Sequence, residues 1–175
     1  MYRYRILLLT LIVLALLPAS AAATNAEPCN PPCTAVNGEF TFTRFEFTSE
    51  TTAVGEGVVT WTQCGASVTG AFVADYFNIE ARGNGVTQLN GQHTITLPDG
   101  VVQTFDEILL QEVRNSSLAT ETDPTVLRAN SRLYIIDGAG AYANASGMLQ
   151  TYGAFNATSL EGSIGFRGRI CIPQQ

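Results

Sequence analysis

From Glu39 onward, apolar and polar side chains alternate along the chain with a period of two, the spacing of a strand with one face turned to a core. Glu39 to Thr48 carries Phe40 and Phe42, then Phe45 and Phe47, and the change of phase at Arg44 predicts a β-bulge. Gly57 to Cys64 sets Val59 and Trp61 against Val58, Thr60 and Thr62. Ser67 to Ile79 is a long β-rich run, and Val86 to Leu97 reads as a strand kinked at Asn90-Gly91. Val101 to Val113, Arg128 to Ile136, Met148 to Phe155 and Ser163 to Ile172 complete about eight strands. The breaks between them have turn chemistry. Arg82-Gly-Asn-Gly85 supplies glycines for positive φ, and in Pro98-Asp-Gly100 the proline sets φ while the glycine accepts the sharp bend.

No segment has the 3.6-residue period of an amphipathic helix. Arg114 to Asp123 is polar and reads as a loop, and Asp123-Pro124 has the residue types that cap one helical turn. Eight short strands with glycine-rich turns predict an all-β domain. An eight-stranded antiparallel β-barrel is the first expectation and a β-sandwich the alternative, because closure removes the exposed strand edges. The barrel is expected over residues 38–173, preceded by an extended arm over 24–37.

The first residues change the setting. Met1-Tyr-Arg-Tyr-Arg5, an apolar run from Ile6 to Leu17, Pro18 and Ala21-Ala-Ala23 together read as a signal peptide over 1–23. The run is shorter than the roughly 20 apolar residues a bilayer span needs. Cleavage near Ala23 would leave a secreted or periplasmic chain, large enough for one domain with its own core. Cys29 follows Ala26-Glu-Pro28, which is not a lipoprotein processing box.

The chain has no lysine, and 9 arginines stand against 15 acidic residues. Two of the arginines leave with the leader, so the mature chain is more acidic still. That balance argues against nucleic acid or anionic membranes as partners.

In an oxidising compartment the four cysteines, Cys29, Cys33, Cys64 and Cys171, predict disulfides. The preferred pairing is Cys29–Cys33 with Cys64–Cys171. The alternative has the N-terminal pair clamping both later strands. Only Cys29 and Cys33 are close in sequence, so the spacing is not that of a zinc site.

After the strand ending Leu133-Tyr-Ile-Ile136 comes Asp137-Gly-Ala-Gly-Ala-Tyr-Ala-Asn-Ala-Ser-Gly147. Gly138, Gly140 and Ala143 match the spacing of a dinucleotide fingerprint, with Glu161 where the ribose-binding acid would stand. A fingerprint needs a helix directly after its glycines. Gly147, Gly153 and β-type residues follow instead, so the segment reads as a tight crossover between strands with Tyr142 packed beneath it. No cofactor is indicated. Gly138 to Gly147, with the last strand Gly165-Phe-Arg-Gly-Arg-Ile-Cys-Ile-Pro173, resembles the allene oxide cyclase and dirigent-type barrels. The resemblance spans roughly Arg128 to Pro173. It implies an eight-stranded antiparallel barrel, a homotrimer as its assembly, and an apolar substrate or ligand. It transfers no catalytic residue, because the dirigent Asp-Asp-Pro signature has no counterpart here.

Candidate chemistry is sparse. His93 is the lone histidine, which excludes a His-rich metal site, and it is expected on the outer surface of its strand. No Gly-x-Ser-x-Gly elbow occurs. By alternation Asp106, Ile108, Leu110 and Glu112 share a face, as do Arg132, Tyr134 and Ile136. If both faces point inward, Glu112, Arg132 and Tyr134 form a polar cluster in an apolar cup; if outward, Glu112 and Arg132 form a cross-strand ion pair. Trp61 and Tyr76 are expected in the core or as aromatic walls of the same cup. The sequons at Asn115, Asn144 and Asn156 read as chance matches. The first functional expectation is a secreted barrel binding a small apolar ligand or a partner. A cyclase- or dirigent-like isomerase or coupling guide is the second, and a structural extracellular component the third.

Overall fold

A computed structural model describes residues 32–113, 116–119 and 125–173. Its strands are β1 (Cys33–Phe47), β2 (Thr52–Gln63), β3 (Ala66–Gly83), β4 (Val86–Leu97), β5 (Gly100–Glu112), β6 (Val126–Gly140), β7 (Ser146–Asn156) and β8 (Gly162–Cys171). Each pairs antiparallel with its sequence neighbour, and β1 pairs with β8, giving one closed eight-stranded barrel. The barrel expectation holds and the sandwich alternative falls. The predicted bulge is present, since the β1–β2 register shifts between Phe42 and Arg44.

Three expectations change. β1 begins at Cys33, so the last part of the expected arm is already barrel: Cys33 to Phe40 is needed to pair with β8 and close the sheet. The glycine motif makes no crossover. β6 runs through Gly138 to Gly140, and a turn over 141–144 returns directly into β7 as a hairpin. A Cβ on Gly138 would strike the carbonyl oxygen of Tyr142, which explains the glycine without a nucleotide. The preferred disulfide pairing is also overturned. Cys33 bonds Cys171, its register partner across the β1–β8 seam, and Cys64 is disulfide-bonded too. Sequence proximity had favoured Cys29–Cys33, but closure of the barrel brings the first and last strands side by side. These bonds are consistent with an oxidising compartment. The signal peptide, Cys29 and the Asp123-Pro124 cap lie outside the described residues.

Inward positions are mainly apolar and outward ones largely polar, the reverse of a lipid-facing barrel. Among the described residues no helix is long and apolar enough to cross a membrane. The interior divides into two halves. At the end bearing the β2–β3, β4–β5 and β6–β7 turns it is filled by Trp61, Phe166 and Tyr142, with ring centroids 5.4 Å and 6.2 Å from that of Trp61. The Trp61 indole N–H donates to Gln63 (3.2 Å), whose amide donates to Thr34 (2.8 Å), so this plug is packed and polar-satisfied. The other half is not completely filled.

Candidate functional site: a polar floor under an aromatic cup

In that second half a cavity of about 40 Å³ lies among the inward side chains of β1 and β3 to β8. Its walls are mainly rings. Phe42 stacks on Phe155 at 4.7 Å, Phe72 meets Phe40 and Phe42 edge-on at 5.0 and 5.2 Å, and the partly buried Phe45 closes over Phe155 and Tyr76. Ala129, small beside its neighbours, leaves part of the space open.

Five adjacent strands, β3 to β7, lay polar groups on the floor. The alternation Leu89, Gly91, His93, Ile95, Leu97 turns His93 inward on β4, where it is only 7% exposed. This corrects the expected surface position. The same rule turns Asp106 inward between Thr104 and Ile108 on β5, at 1% exposure. β6 contributes Ser131 and β7 Thr151, both buried. Tyr76 reaches in from β3, its hydroxyl 3.3 Å from His93 Nε2, while Thr104 Oγ1 lies 3.3 Å from His93 Nδ1. Ser131 donates to Asp106 Oδ2 at 3.4 Å and stands 2.6 Å from Thr151 Oγ1.

His93 Nδ1 and Asp106 Oδ1 are 3.8 Å apart, an approach that would count as an ion pair were both charged. Burial opposes both charges. It holds the imidazole down at about 4, leaving it neutral at neutral pH. It pushes the Asp106 carboxyl up to about 7, against a smaller downward pull from the Ser131 hydroxyl. The Tyr76 phenol is raised well above its ordinary range by burial and then by the nearby Asp106, and stays protonated. Asp106 Oδ1 is buried without a hydrogen-bond partner among the described residues. The floor is thus a carboxyl that titrates near neutrality beside a neutral imidazole and a neutral phenol. That is a combination suited to moving a proton.

The expected site residues divide. Tyr76 lies in the site. Trp61 is buried but belongs to the plug at the opposite end and does not line the cavity. Arg132 and Tyr134 point outward, because Ala129, Ser131, Leu133 and Ile135 take the inward positions of β6. Glu112 is exposed at the last position of β5, and its register partner is Leu127, whereas Arg132 stands opposite Glu107. The expected Glu112–Arg132–Tyr134 cluster therefore does not form inside, nor does Glu112 face Arg132 outside. Both phases of β6 carry apolar residues, which hid the true one. The signal for His93 was present in its alternation with Leu89 and Ile95.

No group of three or more His, Cys, Asp or Glu side chains among the described residues could hold a metal ion. Compared with known proteins, the chain matches no family model, no curated protein and no solved structure. The chemistry of the site therefore rests on its own geometry.

Proposed function

We propose that the protein binds a small, mainly apolar molecule inside the barrel, with the polar end of that molecule on the Asp106–His93–Tyr76 floor. The observation that carries this reading is a cavity walled by aromatic rings over a buried carboxyl oxygen that has no hydrogen-bond partner among the described residues. Eight strands enclose an interior just wide enough to be filled by side chains or to hold one small ligand. One half of this barrel does the first, and the other half has room for the second. A buried, imperfectly satisfied carboxyl costs stability, and an apolar residue in its place would be no worse for packing. A barrel serving only as a scaffold has no use for that cost.

The size of the cavity limits the ligand. At about 40 Å³ it accommodates roughly two or three water molecules. A larger ligand must displace a rim ring, and Phe45 is the least buried of the rings around it. The leader and the disulfides support a place outside the cytoplasm, secreted or periplasmic, where such a ligand would be met.

Titration of isotope-labelled protein with benzene and with acetone tests the reading by NMR. Saturable shifts at Phe42, Tyr76, Ala129 and Phe155, lost when Ala129→Phe fills the cavity, are expected. Binding that survives Ala129→Phe, or no saturable binding at all, would refute it.

A further inference from the structure

We infer that Asp106 is an acid–base group that moves a proton on the bound molecule, which makes the substrate class small enolisable ketones and their unsaturated relatives. This deepens the proposed ligand reading and rests on it.

The hydrogen-bond geometry assigns the proton. Ser131 has one hydroxyl hydrogen, and it goes to Asp106 Oδ2. With that hydrogen on Asp106 Oδ2, the 2.6 Å contact between Ser131 Oγ and Thr151 Oγ1 is a bond donated by Thr151, shorter than the 3.5 Å approach of the same hydroxyl to the Ser131 carbonyl oxygen. The chain Thr151 to Ser131 to Asp106 Oδ2 leaves Oδ2 an acceptor. The titrating proton of Asp106 therefore belongs on Oδ1. That oxygen has no other hydrogen-bond partner among the described residues. It lies against Gly91 and 3.8 Å from His93 Nδ1, in the wall of the cavity.

A second donor stands opposite. If Thr104 donates to His93 Nδ1, the imidazole carries its hydrogen on Nε2 and donates it to the Tyr76 oxygen. The Tyr76 hydroxyl hydrogen is then free for a ligand. The remaining groups that face Asp106 add no charge: β6 and β7 present the hydroxyls of Ser131 and Thr151, and β1 and β8 present Phe40, Phe42, Phe45 and Ile164.

The step balances without a co-reactant. Asp106 carboxylate takes a proton from the carbon beside a carbonyl; the C–H bond breaks and an Oδ1–H bond forms. The released pair becomes a carbon–carbon double bond as the carbonyl π pair moves to oxygen, where the Tyr76 hydroxyl hydrogen-bonds it. When the Asp106 proton exchanges with solvent before a proton returns to the same carbon, the carbon exchanges with solvent, and return to a more distant carbon of an unsaturated ketone shifts its double bond. Nothing is oxidised or reduced.

Hydrogen–deuterium exchange of acetone in heavy water, followed by NMR, tests this directly. The wild-type protein should exchange the methyl protons faster than buffer, and Asp106→Asn should lose about 100-fold or more of that rate while still binding acetone. The wild-type rate should rise with pH and level off above the titration of Asp106, a measurement that needs no variant. Equal rates in wild type and Asp106→Asn, or a flat wild-type pH profile, would overturn the inference, as would cavity-bound acetone that exchanges no faster than in buffer. In these cases acetone still binds, and the ligand reading stands. Absence of acetone binding overturns the inference, and absence of benzene binding as well overturns both.

Discussion

Gly91 and Asp106 face each other across β4 and β5, and Asp106 Oδ1 occupies the space a side chain on residue 91 would need. The glycine read from sequence as a kink is the reason a carboxyl can fold down against its neighbouring strand. Ile108 and Tyr76 crowd the same point, each 3.2 Å from that notional Cβ, so the carboxyl cannot swing aside without disturbing the cup.

Gly91→Ala is therefore expected to cost about 1–3 kcal/mol, the range for overpacking a filled site. Urea unfolding measures it. A cost within the error of the method would mean Asp106 has room to move.

Asp106 and His93 should pull stability in opposite directions with pH. The folded-state carboxyl lies at about 7, above its unfolded value, so its contribution is fully present at low pH and is lost as pH rises towards 7. The folded-state imidazole lies at about 4, below its unfolded value, so its contribution is present near neutrality and is lost as pH falls from about 6.5 to 4. Across roughly pH 4 to 6.5 the two slopes oppose each other. Relative to wild type, Asp106→Asn should become less stable as pH falls through this window, and His93→Gln more stable. Denaturant unfolding at several pH values reads both slopes, and parallel curves would count against the assigned protonation states.

The seam bond can be tested chemically. Cys33–Cys171 joins positions 138 residues apart, and a loop of that length is worth about 5 kcal/mol in the chain-entropy model. In Cys171→Ala the residue that becomes free for alkylation should be Cys33, identified by fragment mass spectrometry. Alkylation at Cys64 would restore the pairing expected from sequence.

Arg132→Ala and Tyr134→Ala should leave cavity binding unchanged and alter stability by about 0.5 kcal/mol or less, since both side chains are exposed on the outer face. Tyr76→Phe, by contrast, should change the bound-ligand NMR shifts. A binding defect in Arg132→Ala would move the site to the outer wall of β6.

The site was legible only in part. Tyr76 stands among the aromatic candidates, and Asp106 shares a face with Ile108 and Leu110, because alternation along one strand assigns faces without knowledge of its neighbours. Alternation leaves the facing of Arg132 and Tyr134 open, because Ile136 continues one phase of β6 and Leu133 and Ile135 the other. A lone histidine without a carboxylate nearby in sequence reads as a surface residue. Asp106 comes within reach of it only through the β4–β5 pairing, where His93 stands opposite Thr104.

By itself the sequence determined the strands, their turns and the bulge at Arg44, because these depend on residues a few positions apart. It also determined the all-β class, with a closed barrel ahead of a sandwich, and the pairing of β1 with β8 decided between them. Tertiary structure alone decided which cysteine meets Cys171, which end of the barrel is filled by Trp61 and which hydroxyls reach Asp106. Those outcomes depend on the register in which β1 closes on β8 and on the sum of side-chain volumes inside. They belong to the whole barrel and to no single strand.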